Sequence, residues 1–130
     1  RAIGGQADGR PWAVAIESPQ TGLRRAHGVL ALQDLAVATS GDYRHFFDVN
    51  GQRLAHSMGA HSGTPVRGDV ASLTVLAANC MLADAWATAL LVAGAAQGLA
   101  LAQRHGLEAL WLLRRGGALV ELGLGRFGGA

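Results

Sequence analysis

Apolar and polar positions alternate over residues 11–18, putting Trp12, Val14 and Ile16 on one side, the pattern of a half-buried strand. A turn at Pro19-Gln20-Thr21-Gly22 follows, then a second strand over 27–32 and a short turn or bulge at Gln33-Asp34. Residues 35–39 are apolar enough to predict a central strand. Residues 46–49 and 52–56 flank Asn50-Gly51, which predicts a hairpin closed by a two-residue type I′ turn, because that turn needs positive φ at both positions. Residues 56–65 predict an irregular loop, and 71–78, with β-branched Thr74 and Val75, a further strand.

From Cys80 the pattern changes. Residues 80–90 are almost wholly apolar and predict a helix; Gly94 and Gly98 predict a break, and 95–105 a second helix. Gly106 falls where a left-handed cap is expected, with Arg104 and His105 in the last turn to suit the dipole. Strands over 107–114 and 118–124 are joined by Gly116-Gly117, and the first ten residues are a Gly-rich loop. No internal repeat is present. Strands, two adjacent helices and a closing hairpin predict an α+β fold with a mixed or mostly antiparallel sheet.

Composition narrows this. At 130 residues, half of them hydrophobic, the chain can bury a core and is one domain or part of one. All eleven basic residues are Arg, but only Arg24-Arg25 and Arg114-Arg115 are adjacent, and there is no basic run with interleaved aromatics, which argues against nucleic-acid binding. Cys80, the single cysteine, excludes an internal disulfide and is expected to be a buried structural thiol. The window 85–102 is about as long as a membrane span needs, but Gly94 and Gly98 favour two buried helices of a soluble fold. The chain begins at Arg1 without a signal peptide, as expected of a segment of a longer protein.

Candidate chemistry centres on Asp84 and Thr88. Four positions apart, they share one helix face. An ionised Asp among Ala, Leu and Trp needs a partner, and hard Asp and Thr oxygens suit Mg²⁺ or Ca²⁺ better than Zn²⁺. The alternative is an Asp84 favoured by the helix dipole and a Thr88 filling core space. Thr39-Ser40-Gly41-Asp42-Tyr43 ends the third strand; small residues there would let a ligand approach the backbone, or form an ordinary polar turn. No Gly-x-Ser-x-Gly surrounds Ser40, so a hydrolase nucleophile is not supported. His56 and His61 lack a third soft ligand at zinc spacing.

Taken in order, the strand at Trp12, the Thr39–Tyr43 run, the Asn50-Gly51 hairpin leading to His56, the loop ending Ser62-Gly63-Thr64-Pro65, and Met81-x-Ala83-Asp84-Ala85-x-Ala87-Thr88-Ala89-Leu90 resemble the C-terminal half of the ApbE family of FAD:protein FMN transferases. The resemblance implies a partial domain, residues 1–130, of a T-fold-like architecture. It implies an enzyme, a Mg²⁺-dependent flavin transferase that moves FMN from FAD onto a Thr or Ser hydroxyl of a target redox protein and releases AMP. It places the metal at Asp84 and Thr88, the nucleotide at Thr39, Ser40, Gly41 and Tyr43, and a catalytic role at His56. The missing N-terminal half would be the chain's partner, and the protein would lie in the periplasm or on the outer face of the cytoplasmic membrane. The alternative is a non-catalytic flavin-binding or degenerate module of the same fold. Where the family usually has an Asp-Pro-Arg-Thr-Gly-like run, this chain has Gly59-Ala60-His61-Ser62-Gly63, which lacks the carboxylate and the permanently charged fork of Arg.

Overall fold

The computed structural model describes residues 1–20, 22, 24–44, 46–55, 57–59 and 62–128, with the backbone alone for Phe46, Gln52, Arg53 and Ala55. Strands β1 (Trp12–Glu17) and β2 (Ala26–Leu32) form a two-stranded sheet, and β4 (Phe46–Val49) and β5 (Gln52–Ala55) form another. Strands β3 (Ala36–Gly41), β6 (Val70–Ala77), β7 (Glu108–Arg115) and β8 (Ala118–Leu124) form a four-stranded sheet in the order β3-β6-β7-β8. Every strand pair among the described residues is antiparallel, in agreement with the α+β expectation.

Side-chain alternation sorts the large sheet into two faces. On one, Leu73 and Val75 of β6 and Ala109, Trp111 and Leu113 of β7 pack against the helix α1 (Cys80–Arg104), which contributes Ala87, Leu90, Leu91 and Ala102. On the other, Leu76, Leu110 and Leu112 meet Ala2, Ile16 and Leu32 from the N-terminal segment and the β1–β2 hairpin. Strands β6 and β7 are covered on both faces, which explains their near-continuous apolar runs. The third strand, expected to be central, is instead the edge: β3 pairs only with β6 among the described residues. Its small apolar residues answer to helix packing, with Ala36 buried and Ala38 against the helix-side core, rather than to a strand on each side.

The two expected helices are the two arms of α1. The side chain of Asn79 caps the first by accepting a hydrogen bond from Leu82 N–H at 2.9 Å. Gly94, at φ 76° and ψ 177°, breaks the helix between 80–93 and 95–104. The second arm folds back over the first, so that the Trp86 and His105 rings come to 4.9 Å between centroids. Gly98, read from sequence as part of the break, is the contact point: a Cβ there would lie 2.9 Å from the Leu90 carbonyl oxygen. Among the described residues α1 is the one helix apolar and long enough to cross a membrane, yet it is bent at Gly94 and packs against the sheet.

Other local expectations follow the sequence closely. Asn50 and Gly51 have φ of 53° and 75°, the type I′ turn. The second arm ends in a Schellman motif, with Gly106 N–H bonded to Gln103 O, Leu107 N–H to Ala102 O, and Gly106 at φ 60°. Cys80, expected to be buried, is an exposed free thiol, because it starts the helix at its solvent end.

Candidate functional site

Strand β3 delivers Thr39, Ser40 and Gly41 to one end of the sheet, and the turn after it carries Asp42, Tyr43 and Arg44. Three contacts fix this turn. Thr39 Oγ1 lies 2.8 Å from Thr74 Oγ1 on β6. Arg114 on β7 donates through both terminal nitrogens to the two Asp42 oxygens, at 2.7 and 2.8 Å, the forked pairing that fixes orientation as well as charge. The Asp42 N–H donates to Ala71 O at 3.2 Å. Gly41 is required sterically: a Cβ would fall 2.7 Å from Tyr43 Cε1 and 2.9 Å from Ala71 O, so the Tyr43 ring can fold over this position only if no side chain is there.

The first arm of α1 stands opposite. Ala83, Ala87, Leu90 and Leu91 face the core, leaving Asp84 and Thr88 on the exposed side. Two readings are thereby corrected. Asp84 is not desolvated among apolar neighbours, and Thr88 does not fill core space; the apolar residues around them in sequence turn to the other side of the helix. Ser40 Oγ comes to 3.2 Å from Thr88 Oγ1, joining turn and helix. Thr39, Ser40, Gly41, Tyr43, Asp84 and Thr88 all line one open cavity of about 420 Å³.

Sequence reasoning missed Arg44, Ser57, Met58 and Val92, which line the same cavity. It also missed Glu17 on β1, whose Oε2 accepts hydrogen bonds from Arg44 Nε at 3.0 Å, from Arg44 Nη2 and from the Tyr43 hydroxyl at 3.3 Å. The Arg44 guanidinium holds the Glu17 carboxyl below the usual carboxylate range, and Glu17 in turn raises Arg44. Partial burial pushes the Tyr43 phenol up, with the Glu17 charge adding to the effect. Adjacency to the Thr39–Tyr43 run is the one signal that points to Arg44. His56 and His61 lie outside the described residues.

A hard divalent cation fits the donors present. Asp84 makes no hydrogen bond or ion pair with the described residues, and the hydroxyls of Thr88 and Ser40 are neutral oxygens near it in the same cavity. No three His, Cys, Asp or Glu side chains cluster among the described residues. Mg²⁺, which keeps waters and takes ligands from phosphates, needs no full protein cage. Gly59 sits in a tight loop in which its N–H donates to Thr64 O and Gly63 N–H donates back to Gly59 O, both at 2.9 Å.

Comparison with known proteins gives this arrangement a class. The fold superimposes on a flavin transferase from Vibrio cholerae with a TM-score of 0.80 at 35% identity, covering 95% of this chain and 39% of that one. The apo flavinyl transferase of Pseudomonas stutzeri gives 0.77 at 37% identity, covering 93% and 37%. The fold is that of a segment of the flavin transferases. Residues 1–111 match the model of the ApbE family, and the chain belongs to that family. It is 39% identical over 121 residues to the FAD:protein FMN transferase of Haemophilus influenzae, covering 92% of this chain. The chain spans about a third of the length of the curated relatives it matches, 35% in that case.

Proposed function

We propose that residues 1–130 are the C-terminal portion of one FMN-transferase domain, which, with the rest of that domain, transfers FMN from FAD to a Thr or Ser hydroxyl of a target protein. The target oxygen attacks the phosphorus on the FMN side of the diphosphate, the bond to the bridging oxygen breaks, and AMP leaves. The cavity that joins the Thr39–Tyr43 turn to Asp84 and Thr88 carries this reading, together with similarity to proteins named as FAD:protein FMN transferases.

In this reading the Asp84 carboxylate and Thr88 hydroxyl hold Mg²⁺. The ion, when bound, offsets charge on the diphosphate and on the leaving oxygen. Thr39, Ser40, Gly41 and Tyr43 form the nucleotide wall, where the bare Gly41 backbone and the Tyr43 ring give close, flat contacts. His56 takes the proton of the target hydroxyl, a role that rests on family resemblance. The target is a redox protein bearing the acceptor hydroxyl, and the site of action is the periplasm or the outer face of the cytoplasmic membrane; both also rest on the family.

One observation favours a second reading, a flavin-binding module without transfer. Gly59 supplies no carboxylate, and the place its side chain would take is occupied, since a Cβ there would lie 2.5 Å from Ser62 Oγ. The deciding experiment incubates full-length protein with FAD, Mg²⁺ and a target, and follows AMP release and covalent flavin on the denatured target. Transfer that is Mg²⁺-dependent and lost in Asp84→Asn is expected. FAD binding without AMP would establish the second reading instead.

A further inference from the structure

We propose that Arg44 is the phosphate-binding arm of this cavity, taking a nucleoside diphosphate, and that Glu17 is its positioning residue. This rests on the reading of the cavity as a nucleotide site, and it assigns a substrate contact to a residue outside the motifs that identify the family here. Arg44 is the one cation among the described residues that line the cavity, which Asp84 and Thr88 also line. Asp84 and a diphosphate are both negative, and Glu17 already pairs with Arg44, so what Arg44 adds is the guanidinium N–H donors that Glu17 does not take rather than net charge.

Glu17 makes the arm usable. An Arg side chain loses much rotamer freedom when it grips a ligand. Here both Nε and Nη2 are tied to one Glu17 oxygen, and the Tyr43 hydroxyl bonds to that same oxygen. The guanidinium is thus oriented before ligand arrives, which lowers the ordering cost of binding. Glu17 itself does not line the cavity; it acts through Arg44.

The test compares ADP with adenosine, which differ in the diphosphate alone, on the full-length protein with Mg²⁺. Arg44→Ala is expected to weaken ADP by about tenfold to a hundredfold, the worth of a charge-assisted hydrogen bond, with adenosine unchanged. Arg44→Lys should recover part of the loss, and Glu17→Gln should lower ADP affinity several-fold, again without touching adenosine. A merely structural clamp would weaken both ligands together, or neither, and would overturn the proposal. In the unmutated protein, ADP but not adenosine should shield Arg44 from phenylglyoxal, read by peptide mass; equal modification with and without ADP overturns it whatever the variants do. Flavin transfer is measured in parallel. Transfer with Arg44 unprotected sinks the arm and leaves the proposed function standing, whereas protection without transfer sinks that function and upholds the arm.

Discussion

Ser40 Oγ and Thr88 Oγ1, forty-eight residues apart in sequence, lie within hydrogen-bond distance at 3.2 Å. That contact ties the end of an edge strand to the exposed face of a helix and makes one cavity from two motifs. Thr88→Val removes the hydroxyl from both the contact and the proposed metal site. Because Thr88 is exposed, the melting temperature should change by no more than about 2 °C. Mg²⁺-dependent AMP release from FAD by the full-length protein should fall by about a hundredfold. An unchanged rate would remove Thr88 from the metal site.

Much of the fold and of the site is legible in the sequence, for physical reasons. Asn50-Gly51 declares its turn because two positive φ angles admit few residues. Asp84 and Thr88 share a face because helical geometry fixes it. Signals that depend on the rest of the fold are not legible in this way. Small apolar residues in β3 look the same whether a helix or a neighbouring strand covers them, so an edge strand reads as a central one. Cys80 looks buried in an apolar run, yet the start of the helix turns it to solvent. Glu17 and Arg44, 27 positions apart, form an ion pair that no periodicity announces.

The fold-back of α1 gives a stability test. Gly98→Ala would push a Cβ to 2.9 Å from a main-chain oxygen of the other arm, which cannot swing aside as a side chain can. A loss of about 1–3 kcal/mol is expected, the usual cost of overpacking. Gly94→Ala has open space around it, but its φ of 76° and ψ of 177° belong almost solely to glycine, and the strain should cost a similar 1–3 kcal/mol. Scanning calorimetry of both variants checks this. A neutral Gly98→Ala would mean that the arms are not held at this distance.

The Glu17–Arg44 pair predicts a pH signature. The folded Glu17 pKa lies below its ordinary value, first because Arg44 donates hydrogen bonds to it. Its contribution to stability is therefore present above the ordinary carboxylate pKa and is lost as pH falls through the folded value. The melting-temperature gap between wild type and Arg44→Ala should be widest near neutrality and close in acid. A carbon-13 titration should place the Glu17 midpoint low in wild type and move it upward in Arg44→Ala. A midpoint that stays put would show that the pair is not formed in solution.

A carboxylate can be placed in the loop at Gly59, where the family resemblance implies one. Gly59→Asp brings a Cβ to 2.5 Å from Ser62 Oγ, so that oxygen must move. It currently accepts hydrogen bonds from Thr64 N–H at 3.3 Å and Thr64 Oγ1 at 2.9 Å, and moving it breaks them. Ser62→Ala breaks the same bonds outright. The two changes therefore share one cost, and the double variant should be less destabilised than the sum of the singles by about 1 kcal/mol. Melting curves for the four proteins measure this coupling, and additive losses would show that Ser62 does not occupy the space. AMP release is expected to rise in the double variant relative to wild type, because it alone carries the carboxylate in a relaxed loop. A double variant that folds, shows the coupling and gains no activity would mean that a carboxylate at this position does not support transfer.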